Sequence, residues 1–125
     1  MGLEPGLRGE VRLTVGDADT AVAMRSGDVP VLSTPRVVAL AEEASVLAVA
    51  AALPDGQTTV GMRVQIDHLQ PSAVGTEVIA EAVLERIEGR RLTFTTHVSD
   101  SRGLLAAGKV TRVVVEIDRF LDKLR

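Results

Sequence analysis

TPRVVALAEEASVLAVAAAL, residues 34 to 53, decides the fold. After Arg36 the run is almost wholly apolar, with Glu42, Glu43 and Ser45 as its only polar residues. Alanine and leucine are strong helix formers, and nothing inside the run breaks the pattern. Ser33 or Thr34 suits the cap, Pro35 suits the first helical position, and Pro54 with Gly56 stops the helix. A helix over 34–53 would run roughly 28 Å. Being apolar nearly all round, it is expected to be buried. Neither Glu42 nor Glu43 has a basic residue three or four positions away, so no local ion pair accounts for them. A carboxylate against apolar walls has a raised pKa and can act as acid, base or nucleophile.

Outward from this helix, the chain reads as strands. EVRLTV at 10–15 alternates apolar and polar residues. Residues 16–30 are polar and broken by Gly27 and Pro30, which suits a loop or a short irregular helix serving as a lid. In TTVGMRVQIDHL at 58–69, Val60, Met62, Val64 and Ile66 alternate, with His68 continuing that face. TEVIAEAVLERI at 76–87 alternates too, and a Gly turn joins it to RLTFTTHVS at 91–99, which favours a hairpin. Residues 104–117 form a last long strand, with Gly108 expected as a bulge or kink. Residues 118–125 suit one or two helical turns. One strand, one long helix and four strands make an α+β arrangement, an antiparallel sheet wrapped around one central helix. The sheet edges then need cover, so a homodimer is expected, with a dimer of dimers as a further level.

Composition narrows the function. The 125 residues suit one domain spanning 1–125, and 46% are hydrophobic. A net charge of −3 with only two Phe and no Tyr or Trp argues against nucleic acid. The absence of cysteine excludes disulfides, thiol catalysis and cysteine zinc sites. Residues 1–13 lack a secretory pattern, and two acids interrupt the long apolar run, so a cytoplasmic protein with no membrane span is expected.

Four segments carry a more specific resemblance: VLSTPRVVALAEEA at 31–44, TTVGMRVQIDHLQPSAVG at 58–75, EGRRLTFTTHVSD at 88–100 and GKVTR at 108–112. In order and spacing they resemble the fluoroacetyl-CoA thioesterase-like family of hot-dog fold thioesterases. The resemblance implies a hot-dog fold and an acyl-CoA thioesterase acting on a small or medium acyl group. It implies Thr34, Glu42 and His68 as catalytic residues, Gly61 where backbone approaches the thioester, and Arg112 as a substrate contact. It implies no metal or redox cofactor, CoA being part of the substrate. The sequence departs from the family at Val110, where a histidine is usual, and in the lid, where 17–32 hold none of the phenylalanines of the fluoroacetate-specific enzyme. Fluoroacetate specificity is therefore not carried over.

A thioesterase needs a nucleophile or a base that makes one from water, and donors for the oxyanion. Glu42 suits base or nucleophile, His68 suits proton transfer, and the Thr34 hydroxyl at a helix start suits donation. On one regular helix, Thr34 and Glu42 lie about 12 Å apart along the axis. Either the helix begins after Thr34, or one site draws the two from different subunits. His97 falls on the solvent face of its strand, and Arg90 and Arg91 read as solvated turn charges. A dehydratase would pair Asp and His several residues apart, which Asp67-His68 does not. The competing reading is a non-catalytic hot-dog module that binds CoA thioesters.

Overall fold

A computed structural model describes residues 2–125. Strand β1 is Arg8–Thr14, helix α1 Thr34–Ala50, β2 Gln57–His68, β3 Glu77–Glu88, β4 Arg91–Asp100, β5 Gly103–Glu116 and helix α2 Ile117–Asp122. The strands form one antiparallel sheet in the order β1-β3-β4-β5-β2. The sheet curls around α1, which is the hot-dog arrangement. Both edges, β1 and β2, are unpaired in the single chain.

Helix α1 ends at Ala50, three residues short of the expected end, because Pro54 disfavours helical backbone at Leu53. Ser33 is the cap: its hydroxyl accepts from the Arg36 N–H at 3.1 Å. Thr34 is thus spared the capping role. Val37, Leu40, Ala41, Ala44 and Val49 are buried against Leu84, Leu92, Phe94 and Val110 of the sheet. The expectation of an all-round buried helix fails. Ala39, Glu43, Leu47 and Ala50 form an exposed stripe, and Leu47 is 50% exposed. One curled sheet reaches around only part of a helix this wide.

Two glycines act through close approach. A Cβ on Gly9 would lie 2.2 Å from the Ala44 carbonyl oxygen, so β1 lies directly against the helix backbone. A Cβ on Gly108 would lie 1.9 Å from the Gln65 carbonyl oxygen. Gly108 is not the expected bulge: its register with Ile66 and Thr96 is unbroken.

The extra residue of β5 is Leu105 instead, and β2 carries a bulge of its own. Gly61 pairs with Arg112 and Arg63 with Thr111, leaving Met62 as the extra residue. Side chains alternate along a regular strand, so residues seven apart would face opposite sides. The extra residue reverses the alternation. Thr59 and Gly61 therefore face α1, and so do Val64, Ile66 and His68. The uninterrupted alternation expected through Val60, Met62, Val64 and Ile66 is broken at this point.

Gly9→Ala should destabilise the protein by about 1–3 kcal/mol, because helix backbone must move away from the sheet. Urea unfolding monitored by circular dichroism measures this, and an unchanged midpoint would contradict the packing.

Candidate active site

Thr34 stands at the first helical position of α1, and His68 ends β2. Thr34 Oγ1 and His68 Nδ1 are 2.9 Å apart, a hydrogen bond across 34 residues. His68 Nε2 is buried and has no hydrogen-bond partner. Burial lowers the His68 pKa below 6.5, with the Gln70 backbone opposing the shift more weakly. The imidazole is therefore mainly neutral at pH 7 and has a free ring nitrogen.

Thr34 and His68 border a cavity of about 310 Å³. One wall comes from residues 21–33, the segment expected as a lid. This segment is fastened at both ends. Thr20 pairs with Leu32 in an isolated bridge, and Arg36 Nε donates to Asp19 Oδ1 at 2.9 Å. Asp19 also accepts from the Gly16 N–H, which is the main reason its carboxyl sits below the usual range. The Ser33 hydroxyl donates to Met24 Sδ at 2.8 Å.

Glu42 belongs to a second cluster. Arg112 Nη1 donates to its Oε2 at 2.7 Å. Arg112 Nε donates to Thr59 Oγ1 at 2.8 Å and Nη2 to the Thr59 carbonyl at 2.9 Å. The guanidinium is buried, and each of its nitrogens is engaged by protein. Glu42 is thus fixed by an arginine from 70 residues away rather than set among apolar walls. Glu43 points to solvent. Gly61 completes the cluster, since a Cβ there would come within 2.6 Å of Glu42 Oε2. A side chain here would push the Glu42 carboxylate from its present position.

The five residues singled out from the sequence therefore fall into two groups, Thr34 with His68 and Glu42 with Gly61 and Arg112. Because α1 is already helical at Thr34, eight residues of rise, about 12 Å, separate Thr34 from Glu42. Along β2, Gly61 and His68 are separated by about 23 Å of strand. Thr59 was missed by the sequence reading. Its one sequence signal is its place two residues before Gly61, on the same strand face.

Among the described residues, no group of three or more His, Asp or Glu side chains is arranged to hold a metal ion, and no helix is long and apolar enough to cross a membrane.

Comparison with known proteins gives a consistent result. The family model for fluoroacetyl-CoA-specific thioesterase matches residues 15–118. The fluoroacetyl-CoA thioesterase of Streptantibioticus cattleyicolor is 30% identical over 95 residues, covering 76% of this chain and 68% of that protein. A solved structure of the fluoroacetyl-CoA thioesterase FlK superposes with a TM-score of 0.93 at 26% identity, covering 100% of this chain and 97% of the other. A hot-dog-like protein from Thermanaerovibrio acidaminovorans superposes with a TM-score of 0.89 at 27% identity, covering 98% of this chain and 90% of the other.

The burial of His68 sets a pH expectation. A histidine held neutral takes up its proton with a midpoint below 6.5, so the neutral ring predominates above that pH and is lost as pH falls through the lowered value. Proton NMR of the His68 ring should show a midpoint below 6.5; a midpoint above it would contradict the burial.

Proposed function

Because the chain belongs to the fluoroacetyl-CoA-specific thioesterase family, whose chemistry is thioester hydrolysis, we propose that it hydrolyses an acyl-CoA thioester of small or medium acyl length at a site shared by two copies. The observation that carries this reading is the Thr34–His68 hydrogen bond beside a cavity, with Nε2 left unpartnered.

Edge strand β2 supports a two-fold pair. It spans twelve residues without a proline and has no neighbour on one side, and such an edge favours pairing with another strand. Antiparallel pairing of β2 with its copy, about an axis near Val64 and Gln65, brings Gly61 of one copy alongside His68 of the other. Glu42 and Arg112 come with Gly61. The two clusters that one chain holds apart then form one site.

In this site the Nδ1–H of His68 donates to Thr34 Oγ1, which leaves the Nε2 lone pair as the base. Glu42 of the partner subunit has Oε2 on Arg112, and its Oε1 holds the attacking water. The water gives a proton to Nε2 as its oxygen bonds to the thioester carbon. The carbonyl oxygen becomes an oxyanion, and Thr34 acts by holding the His68 ring through Nδ1 rather than by touching that oxygen. The carbon–sulfur bond then breaks, and the CoA sulfur takes the proton from Nε2. The products are a carboxylic acid and free CoA. Written in this way, the reaction requires neither metal nor redox cofactor. Arg112 and Gly61 act by placing Glu42.

Thiol release from a panel of acyl-CoAs tests the reading. His68→Ala should lower kcat by about 10²–10⁴-fold. Gly61→Ala should also lower kcat, since it displaces the Glu42 carboxylate. Glu42→Gln, which keeps an acceptor for Arg112, should be nearly inactive yet folded. Unchanged turnover in His68→Ala would overturn this site, and a folded wild-type protein inert on every thioester would favour the binding module.

A further inference from the structure

The cavity beside Thr34 and His68 has a chemistry of its own. Ala21, Gly27, Val29 and Val31 form one wall, and Leu69 and Pro71 form the other. Apart from the His68 imidazole, neither an aromatic nor a charged side chain lines it. Of its polar residues, Thr34 and His68 are bonded to each other and Ser33 has its hydroxyl committed to Met24 and to the Arg36 N–H, leaving Ser26 and Gln70. The volume of about 310 Å³ equals roughly ten water-sized units of about 30 Å³ each. A two-carbon acyl group would leave most of this space unfilled, and apolar walls contribute most when a hydrocarbon covers them.

We infer that the acyl group this enzyme prefers is an uncharged aliphatic chain of about four to eight carbons, with Val29 as the residue that sets its length. The inference rests on the thioesterase reading and adds the substrate class. A carboxylated acyl chain, such as a dicarboxylic half-thioester, is disfavoured because no cation lines the cavity to meet its second carboxylate. Small polar acyl groups are disfavoured because they leave apolar wall against water. Val29 suits the role because it is 56% exposed in the single chain and still lines the cavity. A larger side chain there can be accommodated without disturbing the core. Gly27 packs against Ala21 across the same wall, where a Cβ would meet the Ala21 Cβ at 3.4 Å.

The test is a chain-length series from acetyl- to decanoyl-CoA, with succinyl-CoA included, on wild type and Val29→Phe. The kcat/KM for hexanoyl-CoA should exceed that for acetyl-CoA by at least about tenfold, and succinyl-CoA should fall below butyryl-CoA. In Val29→Phe the hexanoyl-to-acetyl ratio should drop by about tenfold or more. A wild type that prefers acetyl- or succinyl-CoA, or a ratio unmoved by Val29→Phe, would overturn the inference. Calorimetry with the non-hydrolysable thioethers S-hexyl-CoA and S-ethyl-CoA separates the two levels of the argument. Tighter binding of S-hexyl-CoA, lost in Val29→Phe, supports the cavity assignment even if no thioester is cleaved. Equal binding of both thioethers overturns it even if hydrolysis is robust.

Discussion

A rigid helix keeps Thr34 and Glu42 apart, and the rest of the site is arranged around that separation. Ser33 caps α1, so Thr34 is already helical, and two residues eight positions apart on one helix cannot reach a common atom. Each has a partner of its own instead. Thr34 bonds His68 at one end of β2, and Arg112 bonds Glu42 beside Gly61. Neither cluster is a complete hydrolase site. One holds an imidazole and a hydroxyl, and the other holds a fixed carboxylate. In the proposed pair, a two-fold axis at the unpaired β2 edge unites them.

The bulge at Met62 makes this geometry self-consistent. Gly61 and His68 are seven residues apart, and an ideal strand would turn one of them away from α1. One extra residue returns both to the helix side. Gly61 then makes room for the Glu42 carboxylate, while Thr59, on the same face, takes two hydrogen bonds from Arg112. The His68 end of the strand is held differently. Burial keeps the His68 ring neutral, and Thr34 fixes its orientation. Beside this pair, the segment 21–33 lines an aliphatic cavity and is held in place by the Asp19–Arg36 pair and the Ser33–Met24 contact.

Much of the fold was legible because its signals are local. Alanine content, Ser33 and Pro35 mark the start of α1, and period-two alternation marks β3 and β4 with a Gly turn between them. Resemblance to the family selected Thr34, Glu42, His68, Gly61 and Arg112, and the structure places them in two clusters. What escaped the sequence is tertiary. Val60, Met62, Val64 and Ile66 are apolar throughout, so nothing in their pattern marks a reversal of face. Arg112 lies 70 residues from Glu42, beyond any helical spacing rule. Gly108 resembles a bulge glycine, yet it is small because the neighbouring strand's carbonyl lies against it. The exposed stripe of α1 escaped because composition does not report how far a sheet curls.

The shared site is the central claim, and subunit mixing tests it directly. His68→Ala and Glu42→Gln proteins, each inactive alone, are unfolded together, refolded as a mixture and assayed for thiol release, with mixed dimers counted by native mass spectrometry. If each site takes His68 from one copy and Glu42 from the other, mixed dimers contain one intact site, and activity should return to about one quarter of wild type after random mixing. Mixed dimers that form in the expected proportion yet remain inactive would contradict the account.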